Sequence, residues 1–296
     1  MRYGPDISHW QTNVDLVKAK PHVDFVILKA TEGTSHVDKT FAGRWRQLAD
    51  LGIARGAYHY ADPRSSAEVE ASHFCATVTR AGWRPGQDVP ALDLEDVERS
   101  KGLTPAQLRS WIDRWVAVVQ ARLRPRAVLL YSYIPYWTRE LGDPPTMPAG
   151  CIGWIARYNK TGPWAPPLRR PRAWPEQPDI WQATDGTNGR VRTIPGLGNV
   201  DVNEMTEGCY QRLFGAPSAP PTARSETEED MPQGRLIQAT DGPQAAHVYW
   251  ERAGGDRVYL QTLDVIPDLK ARGYIASIDI VKVSTAYLAQ IPEVQA

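Results

Sequence analysis

The chain has 296 residues, enough for one large domain or for a large and a small one, each with an ample core. Its apolar fraction of 42% and charged fraction of 23% are ordinary for a soluble globular protein, and a formal charge of zero excludes the basic excess of a nucleic-acid binder. No stretch approaches the roughly 18 apolar residues of a membrane span, and Cys75, Cys151 and Cys209 are odd in number and lack metal-site spacing, so neither a disulfide framework nor a metal centre is implied.

The start, "MRYGPDISHW", lacks the basic end, apolar core and cleavage site of a signal peptide, so synthesis and folding in the cytoplasm are expected. Runs rich in Val, Ile, Leu and aromatics predict eight strands, at 3–7, 25–31, 54–60, 89–95, 127–133, 150–157, 179–183 and 199–203. Helical patterns fill the early gaps at 36–51, 66–81 and 104–123. The last opens on "LTPAQL", with Thr104 as N-cap, Pro105 at the first helical position and Gln107 completing a capping box. Its Trp111 and Trp115, four apart, read as helix packing.

Strands alternating with helices predict an α/β protein with a parallel sheet, and eight strands in residues 1–215 predict a closed β/α barrel. The later connections, "GDPPTMP" and "TGPWAPPLRRPRAWP", are too short and proline-rich for full helices. The barrel is therefore expected to be irregular, with about five β/α units plus three further strands. Residues 216–234, "APSAPPTARSETEEDMPQG", cannot bury a core and read as a linker. Beyond it, "RLIQAT", "HVYWER", "RVYLQT" and "ASIDIVKV" predict a small β-rich C-terminal domain at 235–296.

A β/α barrel builds its site at the C-terminal ends of its strands. The first predicted strand ends in Asp6, the second in Lys29 and Glu32, and the third in Tyr58, His59, Tyr60 and Asp62. The fourth, "ALDLED", places Asp93 and Glu95 on one face and Leu92 and Leu94 on the other, because strand side chains alternate. The fifth supplies Tyr131 and Tyr133, the sixth Trp154 and Tyr158, the seventh Trp181, Gln182 and Asp185, and the eighth Asp201 and Asn203. A lone D-x-E is more simply a solvated acidic face; a full circuit of acids and aromatics at one rim argues against that. His9 and His59 read as hydrogen-bonding wall residues rather than direct catalysts.

There is no G-x-S-x-G elbow, no H-E-x-x-H helix, no C-x-x-C pair and no G-x-G-x-x-G after a strand. What remains is carboxylates among aromatics, the equipment of glycoside hydrolysis, in which one acid protonates the leaving oxygen and a second carboxylate handles charge opposite. Eleven Trp and twelve Tyr exceed what a core usually requires, and stacking on sugar rings is one use for them.

The segments "GPDISHWQ", "FVILKATEGTSHVDKTF", "GAYHYADP", "ALDLED", "LLYSYIPYW", "IGWIARYN", "DIWQATDG" and "NVDVNEM", in this order over about residues 3–212, resemble glycoside hydrolase family 25, the Chalaropsis-type muramidases. The resemblance implies a barrel with irregular later strands and hydrolysis of the β-1,4 bond from N-acetylmuramic acid to N-acetylglucosamine in bacterial peptidoglycan. Glu95 matches the general acid and Asp93 its partner; Asp6 and Asp201 match two further carboxylates. Substrate contacts are expected from Tyr58, Tyr60, Tyr131, Trp154, Tyr158, Gln182 and Glu32, with no cofactor and no metal. The chain departs from the family at Pro5, where many members have Ile or Val, and in the Pro- and Arg-rich loops after Tyr158.

The C-terminal segment resembles small modules appended to actinobacterial and phage wall enzymes, and is expected to bind the cell wall. Basic residues favour Arg, 26 against 8 Lys, as in a GC-rich genome. Together these features suggest a phage endolysin, made in the host cytoplasm and released with the help of a holin to act on the wall. To hold its proton near neutral pH, Glu95 needs a raised pKa, which partial burial and a neighbouring ionised Asp93 would supply. Asp93 would either stabilise an oxazolinium formed by the sugar's own acetamide or help activate water. A related glycosidase acting on chitin-like glycans and a catalytically silent wall-binding lectin are the alternatives; the presence of both acids disfavours the lectin.

Overall fold

In the computed structural model, the described residues are 1–215 and five strands within 234–294. They belong to two compact units, Met1–Ser218 and Ala219–Ala296.

The first unit is a closed barrel of eight strands: β1 (Arg2–Ile7), β2 (Phe25–Glu32), β3 (Ala54–Tyr60), β4 (Val89–Asp93), β5 (Val128–Tyr133), β6 (Cys151–Ala156), β7 (Ile180–Asp185) and β8 (Asp201–Met205). Strands β1 to β7 run parallel around the ring, and β1 pairs with β2. Helical segments Leu16–Ala19, Phe41–Asp50, Ala67–Arg80, Pro105–Leu123 and Ile134–Arg139 follow the first five strands, which accounts for the five β/α units the sequence predicts. The Thr104 capping box forms as read, and Trp111 and Trp115 are buried under the helix that it starts.

Two elements differ from the sequence reading. The helix expected at 36–51 begins only at Phe41, because His36–Val37 folds back on Thr31 and Glu32 as a short antiparallel strand. Asp38 then turns the chain, accepting from both the backbone N–H and the hydroxyl of Thr40. The last strand runs 201–205 rather than 199–203, and it is antiparallel to both β7 and β1. Gly198–Asn199 belongs instead to a small hairpin with Thr193–Ile194. A parallel return needs a long crossover, and the segment before β8 is taken up instead by this hairpin, so β8 comes back antiparallel.

The barrel interior is packed at its lower end by Phe25, Ile27, Val89, Leu129, Ile152, Ile180 and Met205, and helix Glu207–Phe214 closes that end with Cys209 and Leu213. Gly4 makes room here: a Cβ on it would stand 2.4 Å from the Phe25 carbonyl oxygen. A second apolar layer, with Leu28, Trp45, Phe74, Leu92, Trp115 and Leu130, lies between barrel and helices. Five of the tryptophans, Trp45, Trp115, Trp137, Trp154 and Trp174, are among the largest fully buried side chains. Much of the tryptophan excess is thus core.

The second unit contains strands β9 (Gly234–Ala239), β10 (Val248–Glu251), β11 (Arg257–Tyr259), β12 (Ile275–Val283) and β13 (Glu293–Val294), in the sheet order β12-β9-β10-β11-β13. Leu236, Val248 and Tyr249 are buried in it. Apart from Gly234, the segment read as a linker lies outside the described residues. Among the described residues no helix is long and apolar enough to cross a membrane.

Candidate active site

The polar layer above the apolar floor is set by strand register. Tyr60 on β3 aligns with Asp93 on β4, and Asp93 with Tyr131 on β5, so these side chains form one inward-facing row. Glu95 lies two residues past Asp93 and keeps its face, because Leu94 still donates to the Tyr131 carbonyl and accepts from the Ser132 hydroxyl. Asp201 reaches the same rim by a different route. As the first residue of an antiparallel strand it sits at the start of β8, not the end, opposite Asp6.

A cavity of about 150 Å³ results, lined by the four carboxyl groups Asp6, Asp93, Glu95 and Asp201 together with Tyr58, Tyr131, Trp154, Tyr158 and Gln182. Beside it, sharing Glu95, Tyr131 and Tyr158, opens a second cavity of about 290 Å³ walled by Tyr133, Ile134, Pro135, Ala156, Arg157 and Leu168. A larger hollow of about 590 Å³ lies among the segments that lead into β3, β4 and β5, with Arg84, Arg126 and Phe214 on its wall. No carboxylate lines it, and the chemistry is not there.

Asp6 is held from two sides. Gln182 and Asn203 each donate an amide N–H to its Oδ2 at 2.9 Å. The Asn203 amide can point only one way, since its oxygen accepts from the Trp154 indole at 2.7 Å and an indole nitrogen only donates. Tyr131 and Tyr158 likewise donate to the Gln182 oxygen, at 2.9 and 2.8 Å, which turns its amide nitrogen toward Asp6.

Four carboxyl groups around one small cavity raise one another's pKa values. Glu95 is pushed up to about 7, by burial first and then by the charge of Asp6. Asp201 is pushed up to about 8 by burial and by Asp6, Asp185 and Glu95. Burial also raises Asp6, against the pull of its two amide donors. Asp93 is held well above the usual carboxylate range by burial and then by Glu95, and its Oδ1 is buried without a partner. The repulsion between Asp93 and Glu95 is mutual, so each carboxyl makes the other harder to ionise. Asp93 itself resists ionising, and Asp6 adds its charge to the burial that raises Glu95.

Two of the expected substrate contacts, Glu32 and Tyr60, stand apart from the residues lining this cavity. A bulge between Lys29 and Thr31 puts both Lys29 and Glu32 on the inner face despite their spacing of three. Lys29 and Arg99 each donate to Glu32 at 2.6 Å, and both cations lie over the Tyr60 ring, at 4.8 and 5.0 Å. Burial opposes ionisation of Glu32, but the two donors together hold it below its ordinary value. His59 is not a wall residue. It points outward from β3, fully buried between Glu70, 2.7 Å away, and Thr31, with its ring against Trp115. His9 bonds Asp38 at 2.8 Å from the loop after β1. Trp181 also faces outward, donating to the Arg157 carbonyl.

Sequence reading missed Arg99 and the wall formed by Ile134, Pro135 and Leu168. Leu168 lies in an irregular loop with no periodicity to point it anywhere. Among the described residues no group of three or more His, Cys, Asp or Glu could hold a metal ion.

The model of glycosyl hydrolases family 25 matches residues 5–190. Lysozyme M1 of Streptomyces globisporus is 33% identical over 218 residues, covering 71% of this chain and 69% of its own. An N,O-diacetylmuramidase of Arthroderma benhamiae is 30% identical over 188 residues, covering 62% of this chain and 76% of its own. The crystal structure of the bacterial lysozyme from Streptomyces coelicolor superposes with a TM-score of 0.60 at 28% identity, covering 69% of this chain and 92% of that one.

Proposed function

Because the chain belongs to glycosyl hydrolases family 25 it is a glycoside hydrolase of lysozyme type, and we propose that it cuts the β-1,4 bond from N-acetylmuramic acid to N-acetylglucosamine within peptidoglycan strands. The observation that carries this reading is Glu95. Its carboxyl lines the cavity with a pKa of about 7, so near neutral pH a large share of it holds a proton to give to the glycosidic oxygen. Asp93 is its partner. The neutral ground-state sugar gains little from a cluster of acids, whereas positive charge developing on the ring is stabilised by whichever of Asp6, Asp93 and Asp201 is ionised, so the stabilisation is concentrated in the transition state. Tyr58, Tyr131 and Tyr158 supply aromatic surface and hydroxyls around the sugar.

Digestion of purified peptidoglycan, with mass spectrometry of the new reducing ends, tests the reading. Muramic acid ends support it; glucosamine ends, or cleavage of chitin alone, overturn it. The narrower setting that we propose is a phage endolysin whose C-terminal unit binds the wall. Lysis of host cells on co-expression with a holin, and none without, is the expected outcome.

A further inference from the structure

The second cavity shares Glu95, Tyr131 and Tyr158 with the catalytic one, yet the rest of its wall is chemically different: Ile134, Pro135, Ala156 and Leu168 make it mostly apolar, with Tyr133 and Arg157 beside them. The Leu168 side comes from the loop after β6. That loop is pinned at several points. Arg157 donates to the carbonyls of Pro163 and Pro166, at 2.9 and 3.3 Å, Arg172 pairs with Asp143, and Trp174 packs edge-on against Trp137 at 4.2 Å. Between these anchors Leu168 is left 38% exposed at the cavity edge. Arg169, next in the chain, and Lys160, at the start of the loop, are exposed and make no ion pair or side-chain hydrogen bond among the described residues.

Resting on the muramidase reading, we propose that this wall is a subsite for the acidic stem peptide carried by muramic acid, and that it makes the enzyme prefer peptide-bearing strands. The chemistry of the substrate suits the residues that this loop offers. The lactyl ether and the first alanine present two methyl groups, which suit an apolar surface beside Glu95, and the carboxylates of the following residues call for cations, which the same loop carries at Arg169, next in the chain to Leu168, and at Lys160. The apolar surface supplies contact area, while the two unpaired cations supply the sign of charge. Anchored in advance, the loop loses little conformational freedom when the peptide lies along it.

The test uses the full chain on two substrates with the same glycan: soluble peptide-bearing strands, and strands stripped of peptide by an amidase. The wild type is expected to show a kcat/KM at least tenfold higher on the peptide-bearing strands, carried mainly by KM. The double variant Arg169→Ala with Lys160→Ala, both at exposed positions, is expected to reduce that preference at least fivefold, and Leu168→Ser to reduce it independently. Equal rates on the two strands by the wild type, or a preference that survives in both variants, overturns the proposal while leaving the muramidase reading intact. Failure to cut either strand, with cleavage of chitin, removes the muramidase reading and this proposal with it.

Discussion

Asp6 and Asp201 face each other directly across the antiparallel pair β1 and β8. Opposed residues in such a pair bring their Cβ atoms to roughly 4.5–5.5 Å, a distance at which like charges destabilise the sheet. The fold accepts this conflict at one rim and divides its consequences. Asp6 takes two amide donors, whereas Asp201 responds with a pKa near 8.

The first expectation concerns pH. Glu95 can act as an acid only while protonated, so kcat/KM should fall as pH rises through about 7. In Asp6→Asn one of the negative charges that raise Glu95 is gone, Glu95 ionises more readily, and the falling limb should move to lower pH. A limb that stays in place in a folded Asp6→Asn protein would show that the two groups are not coupled.

Glu95→Gln removes the proton donor and keeps the shape. Release of reducing ends from peptidoglycan should drop at least about a hundredfold, the lower end of what general acid catalysis contributes, while sedimentation of the variant with walls persists. Retention of more than about a tenth of the wild-type rate would exclude Glu95 as the acid.

Asp201→Asn should lose activity and gain stability at alkaline pH. Its folded pKa, about 8, lies above the unfolded value of roughly 3.9, so between those values the folded state holds a proton that the unfolded chain has lost. The contribution of this group to stability is therefore full at low pH and lost as pH rises toward 8. Asn removes the charge, and the variant should melt roughly 2–4 °C above wild type at pH 9, or ~1 kcal/mol for a domain of this size, with little difference near pH 4. Scanning calorimetry at the two pH values decides it; equal melting at pH 9 would mean that the carboxylate is not strained by the fold.

A protein ending at Gly215 keeps the whole barrel and its closing helix. It should fold and retain its rate on soluble glycan chains, and on the proposal that the C-terminal unit binds the wall it should lose activity on intact walls, because such a unit raises the local concentration of enzyme without touching the site. A sharp fall in rate on soluble chains would make the C-terminal unit part of the enzyme rather than its anchor.

The sequence by itself determined the barrel, its five β/α units and the strand that carries Asp93, with Glu95 two residues beyond its end, because these depend on local rules: apolar alternation, a capping box at Thr104, and proline-rich stretches that cannot form helices. Residues separated by two in a strand share a face wherever that strand lies. The tertiary structure alone decided which face met which neighbour. A bulge after Lys29 turned Glu32 inward to an ion pair with Arg99, 67 residues away. The outward face of β3 buried His59 against Trp115, leaving it no route to the substrate. The reversal of β8 set Asp201 opposite Asp6, and a loop without periodicity carried Leu168 to the wall beside Glu95. Each of these depends on contacts between segments far apart in the chain, and no local pattern encodes the register in which such segments meet.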